Sequence, residues 1–136
     1  MTNEELIKSA ASVLKPHTNS DGRLFGDVAA TLITDQGNAY SGVCIDTTCG
    51  TGFCAEHSAI AAMVTGGEYR IARIVAVWRD DRDGKLYVLP PCGRCREFIR
   101  QIDEANLETD VLLGKNKVLK LKDLLPYHEW PEPLER

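Results

Sequence analysis

Three of the five cysteines in this chain fall into two short clusters, Cys54-Ala55-Glu56 and Pro91-Cys92-Gly93-Arg94-Cys95. Three thiolates can hold one divalent metal, which leaves the Glu56 carboxylate spare. Zinc held by only three protein ligands keeps its fourth position for water, whose pKa falls to roughly 7 on the metal. A carboxyl group beside that position can move the proton. The pattern therefore points to hydrolytic chemistry, with Cys54, Cys92 and Cys95 as ligands and Glu56 as general acid and base. Three thiolates on Zn²⁺ leave a net charge of about −1, which weakens the metal as a Lewis acid. Arg94, inside the second cluster, is the expected compensator, donating to a ligand sulfur, with Arg96 and His57 as alternatives. The competing reading is a closed, non-catalytic zinc clip in which His57 is the fourth ligand; it gives Glu56 no task.

Ligands this far apart in sequence need a scaffold that brings them together. Asn3 to Leu14 carries Leu6, Ala10, Val13 and Leu14 at helical spacing, with Thr2 and Glu5 placed for a capping box and Pro16 as a stop. Residues 27–34 and 39–45 are β-rich runs around Asp35-Gln36-Gly37-Asn38 and predict a hairpin. Glu56 to Val64 predicts a helix stopped by Gly66-Gly67. Residues 71–78 are nearly continuously apolar, as in a central strand, and the polar turn from Asp80 to Lys85 leads to Leu86-Tyr87-Val88-Leu89. After Pro90-Pro91 a helix is expected from Gly93 to Asp103 with Phe98, Ile99 and Ile102 facing inward. Residues 111–113 and 117–121 read as edge strands, and a short helix closes the chain near Leu121 to Leu125. Both cysteine clusters then lie at helix starts, where unpaired N–H groups and the positive helix ends favour thiolate. Strands alternating with helices point to one sheet covered by helices.

The length of 136 residues and 43% hydrophobic content suit a single domain spanning 1–136. No apolar run approaches the roughly 18 residues that span a bilayer, and the start of the chain does not read as a signal peptide, so the expectation is a soluble, cytoplasmic protein without a membrane partner. A net charge of −4 argues against tracking a long nucleic acid and for a small-molecule substrate. The two remaining cysteines, Cys44 and Cys49, are expected as free thiols, buried or partly buried.

The motifs Cys54-Ala55-Glu56 and Pro91-Cys92-Gly93-Arg94-Cys95, together with Phe25 to Ala30, Ser41-Gly42-Val43, Gly52-Phe53 and Leu124-Leu125-Pro126, resemble the zinc-dependent cytidine deaminase superfamily in its small, Cys-ligand branch. The resemblance extends to the small cytidine deaminases and to blasticidin S deaminase. It implies a three-layer α/β fold with a five-stranded mixed sheet flanked by helices, a Zn²⁺ cofactor, a likely-sized nucleoside-like substrate pocket and a homotetramer. The implied reaction is hydrolytic deamination of a cytosine-type amine, cytidine or deoxycytidine to the uracil product and ammonia, in pyrimidine salvage. The backbone near Ala55 and Pro90 would orient the base edge, and Phe25 would line the base pocket or join the core. Where cytidine deaminases hold ribose with an Asn-x-Glu segment, this chain has Cys44 and Asp46, which leaves a blasticidin S-type pocket without ribose as the alternative. Asp46 keeps an acceptor for a hydroxyl or amine. Tyr127 and Trp130 are expected to pack on their own subunit, with capping of a neighbour's pocket as the alternative.

Overall fold

The computed structural model describes residues 1–135, so that of the expected domain only Arg136 lies outside the described residues. Helix α1 (Asn3–Val13) begins at the anticipated capping box: the Glu5 amide donates to Thr2 Oγ1 at 3.1 Å and the Thr2 amide to Glu5 Oε1 at 3.2 Å. Strands β1 (His17–Thr18), β2 (Leu24–Thr34) and β3 (Ala39–Ile45) follow, then α2 (Ala55–Thr65), β4 (Ile71–Arg79), β5 (Leu86–Leu89), α3 (Gly93–Ile102), β6 (Asp110–Leu112) and β7 (Val118–Lys120). Two 3-10 turns, Glu104–Glu108 and Leu121–Leu124, flank the last strands; the second stands where a short C-terminal helix was expected.

One mixed sheet of seven strands replaces the expected five. The excess arises at its margins. β1 adds two residues beside the start of β2. The outer edge of β4 is shared, with β5 antiparallel along Ala76–Arg79 and β6 parallel along Arg73 and Ile74. Short pairings of this kind carry little hydrophobic periodicity, so a sequence pattern passes over them.

The central strands are buried on both faces, which is why 71–78 lacks the alternation of a half-exposed strand. Ile74 and Ala76 of β4, with Ala30 and Leu32 of β2, face Ala59, Ile60 and Met63 of α2 and Ile99 of α3. Val75 and Val77, with Ala29 and Ile33, face Leu6 and Ala10 of α1. The result is three layers: α1, the sheet, then α2 and α3 together. Gly42 sets the spacing of the second interface, because a Cβ there would lie 2.3 Å from Ser58 Cβ and 2.5 Å from the Ala59 nitrogen. The missing side chain lets α2 lie directly on β3, where Ser58 Oγ donates to the Val43 carbonyl at 2.7 Å.

Two expectations are corrected in the periphery. Tyr127 and Trp130 do not pack on their own subunit; they are 97% and 92% exposed, and Leu134 is equally bare. Cys49 is exposed, whereas Cys44 is buried, and all five cysteines are free thiols. Among the described residues no helix is long and apolar enough to cross a membrane.

Candidate metal centre and pocket

Cys54 is the N-cap of α2 and Cys92 the N-cap of α3, and neither uses its side chain to cap. Pro90 and Pro91, which lack amide hydrogens, end β5 and start the turn into α3. Cys92 and Cys95 are one helical turn apart and so present their sulfurs on the same side. Across the interface, Cys54 Sγ lies 3.5 Å from Cys92 Sγ, and Cys92 Sγ lies 3.5 Å from Cys95 Sγ. Tetrahedral coordination with Zn–S bonds of about 2.3 Å places sulfurs about 3.8 Å apart. The three sulfurs therefore fit a zinc ion after a shift of a few tenths of an ångström.

The donor set also asks for a cation. Burial raises the Cys95 thiol strongly and the Cys54 thiol as well, with the neighbouring Cys92 thiol and the Glu56 carboxylate adding to the effect. At Cys92 burial works the same way, but hydrogen bonds from the Cys95 amide and from the Cys95 and Cys54 thiols outweigh it and draw the value down. One sulfur can thus ionise alone, and a divalent ion is what lets all three do so.

Glu56 enters the first turn of α2, 5% exposed, and burial raises its pKa against the opposing pull of its own amide and the Cys95 thiol. His57 follows it. The His57 ring stacks on Phe98 at 4.1 Å and 5°, and its Nδ1 lies 3.6 Å from Cys95 Sγ. Burial, and then the charge of Arg94, lower the His57 pKa. Among the described residues His57 does not join the set of ligand atoms that all lie within 4.8 Å of one another, which contains only Cys54, Cys92 and Cys95. The closed clip lacks its fourth ligand.

Arg94 does not donate to a sulfur. Its guanidinium reaches the Gly52 carbonyl at 3.2 Å, because the first turn of α3 points the exposed side chain across to the loop before α2. Arg96 is also committed elsewhere, to the carbonyls of Pro91 and Leu124. Of the three basic side chains weighed from the sequence, His57 is the one that touches a ligand sulfur.

The sulfurs and Glu56 open into a cavity of about 550 Å³. Ala55, Pro90, Cys44, Asp46 and Arg94 all contribute to its wall. Phe25 does not. It pairs with His17 and Ile45, and the register shift between Phe25 and Ala29, with Gly26 at φ 74°, breaks the alternation that would have aimed it at the cavity. Phe53 is the aromatic of the wall, held by a two-way backbone bridge to Ile45 at 2.9 and 3.0 Å. The sequence reading also passed over Asp27 as an ordinary strand residue. Its carboxylate accepts from Cys44 Sγ at 3.0 Å, and Asp27, Cys44 and Asp46 converge at the end of the cavity lined by β2 and β3. An acid inside an otherwise apolar strand was the available signal.

Residues 1–108 match the family model described as the cytidine and deoxycytidylate deaminase zinc-binding region. The chain is 32% identical to a blasticidin-S deaminase of Bacillus cereus over 103 residues, 73% of this chain and 74% of that protein. It is 30% identical over 100 residues to a cytidine deaminase of Mycobacterium tuberculosis, covering 73% and 69%. Among solved structures, the M. tuberculosis cytidine deaminase superposes with a TM-score of 0.73 at 25% identity, over 93% of this chain and 96% of that one. The cytidine deaminase of Burkholderia pseudomallei does so with a TM-score of 0.72 at 25% identity, over 93% and 98%. Motif, layer order and family model agree across most of the chain, and we conclude that it belongs to the cytidine and deoxycytidylate deaminase family and is a zinc-dependent hydrolase of that type.

Proposed function

We propose that this protein removes the exocyclic amine of a cytosine-type nucleoside or nucleoside analogue, with zinc held by Cys54, Cys92 and Cys95 and with Glu56 carrying the protons. The observation that supports this best is the buried Glu56 beside three convergent sulfurs on the wall of an open cavity. Zinc, when bound, supplies Lewis acidity and an acidified water at neutral pH. The burial that raises the Glu56 pKa lets its carboxyl both hold and release a proton. Glu56 Oε would protonate the pyrimidine ring nitrogen and then the departing amine nitrogen. The backbone at Ala55 and Pro90 would align the base edge, and Phe53 would cover one face of the ring.

The far end of the cavity supports a second reading of the substrate. Asp27 and Asp46 offer carboxylate acceptors where Cys44 offers only a weak donor. Such a wall suits a substituent rich in hydroxyl or amine hydrogens, whether ribose or the non-ribose portion of a blasticidin S-like compound. A panel of cytidine, deoxycytidine and blasticidin S, followed by loss of the cytosine absorbance band and release of ammonia, tests both. Turnover of none by zinc-loaded protein would falsify the substrate class. Glu56→Gln, which conserves volume, should keep zinc and fold and lose about 10²- to 10⁴-fold in turnover.

We also assign the enzyme to the cytoplasm and to pyrimidine salvage, a reading supported by its five free thiols. The bare Tyr127, Trp130 and Leu134 side chains support assembly into a homotetramer. Light scattering at assay concentration checks this, and an active monomer contradicts it.

A further inference from the structure

We propose that His57 is a positioning residue for the metal: it donates an Nδ1–H hydrogen bond to the Cys95 sulfur and thereby sets how tightly and with what ligand field the three thiolates hold zinc. The inference rests on the reading that Cys54, Cys92 and Cys95 are the ligands. Cys95 is the fully buried member of the three, so water cannot solvate its sulfur, and an uncompensated thiolate there is costly. His57 Nδ1, at 3.6 Å, is the side-chain nitrogen hydrogen-bonded to these sulfurs among the described residues. Arg94 and Arg96 donate to carbonyls.

The ring is held in that position. Phe98 lies one turn beyond Cys95 on α3 and stacks nearly parallel on the imidazole, and Phe53 approaches it at 6.3 Å and 33°. The stack ties the first turn of α2 to α3 beside the sulfurs, and Nδ1 is the nitrogen that faces Cys95. The neutral Nδ1–H tautomer and the imidazolium both supply the proton, so the contact does not depend on the charge of the ring. A hydrogen bond to a metal-bound thiolate withdraws charge from sulfur, which offsets part of the excess that three thiolates place on a divalent ion.

Two substitutions separate the donor from the stack. His57→Phe keeps an aromatic ring on Phe98 and removes the N–H. His57→Asn loses the ring and places its amide nitrogen near the position of Nδ1. Zinc affinity measured by chelator competition should fall about 10- to 100-fold in His57→Phe and recover most of that in His57→Asn. In cobalt-substituted protein the sulfur-to-cobalt charge-transfer band should move to lower energy in His57→Phe and return toward the native position in His57→Asn. Native affinity and native band in His57→Phe overturn the proposal. A nitrogen NMR spectrum of the unsubstituted zinc protein tests it without a variant: a protonated Nδ1 on His57 supports it and an unprotonated one overturns it. Unsubstituted protein that takes up no zinc overturns the ligand reading as well, whereas stoichiometric zinc with an unchanged His57→Phe overturns the role of His57 alone.

Discussion

Replacing Gly42 with alanine probes the link between the sheet and the metal centre. A Cβ at this position would sit 2.3 Å from Ser58 Cβ, 2.5 Å from the Ala59 nitrogen and 2.7 Å from the Ser58 carbonyl carbon. Carbon atoms pack comfortably at about 3.5 to 4.0 Å, so α2 must move away from β3 by about 1 Å. Two of the three neighbours are helix backbone, which cannot rotate aside. Overpacking of this kind costs about 1 to 3 kcal/mol, and the entropic gain of about 0.5 to 1 kcal/mol from losing a strand glycine offsets part of it. A net loss of about 1 to 2 kcal/mol should lower the urea midpoint by roughly 0.5 to 1 M. The same shift carries Cys54 and Glu56, at the head of α2, away from Cys92 and Cys95, at the head of α3. Misplacement by about 1 Å can reduce turnover by about 100-fold. Gly114→Ala is the control, because its Cβ would meet only Lys117 Cβ at 3.9 Å. Denaturant unfolding, chelator competition and turnover should therefore change together in Gly42→Ala and not in the control. A Gly42→Ala protein with native midpoint and native turnover would refute the argument that close approach of α2 to β3 assembles the site.

Ile99→Ala removes a fully buried side chain of α3 from the core shared with α2, and should destabilise the fold by about 2 to 5 kcal/mol in denaturant unfolding; a loss below about 1 kcal/mol would mean that the layer repacks. Glu68 is buried beside the β2–β3 turn, and hydrogen bonds from Thr34, Tyr40 and Asn38 lower its pKa. Because the folded value lies below the unfolded one, the stabilisation is complete above about pH 4.3, the ordinary value for Glu, and is lost as pH falls through the depressed folded value. Glu68→Gln should therefore lower the melting temperature at pH 7, and its deficit should shrink on acidification below about pH 4; a deficit that grows with acid would reverse the sign.

Local chemistry wrote much of this protein openly. The capping box of Thr2 and Glu5 forms as read because its donors and acceptors are three residues apart. The helix beginning beside Cys54 and the helix after Pro90-Pro91 are equally legible, since their stops and starts are local. The three cysteines, with one acid beside the first, were sufficient to anticipate a zinc hydrolase, because ligand types and spacing follow from coordination chemistry. Contacts between distant segments were settled by tertiary packing. Nothing near Arg94 in sequence shows that the first turn of α3 directs it to the Gly52 carbonyl, or that Phe98 holds His57 against Cys95. Nothing near Phe25 shows that a register shift turns it away and leaves Phe53 and Asp27 on the cavity wall. Spacing along one helix or strand is set by backbone geometry, but which side chains meet across two elements depends on their register and separation, and these exist only once the layers have packed.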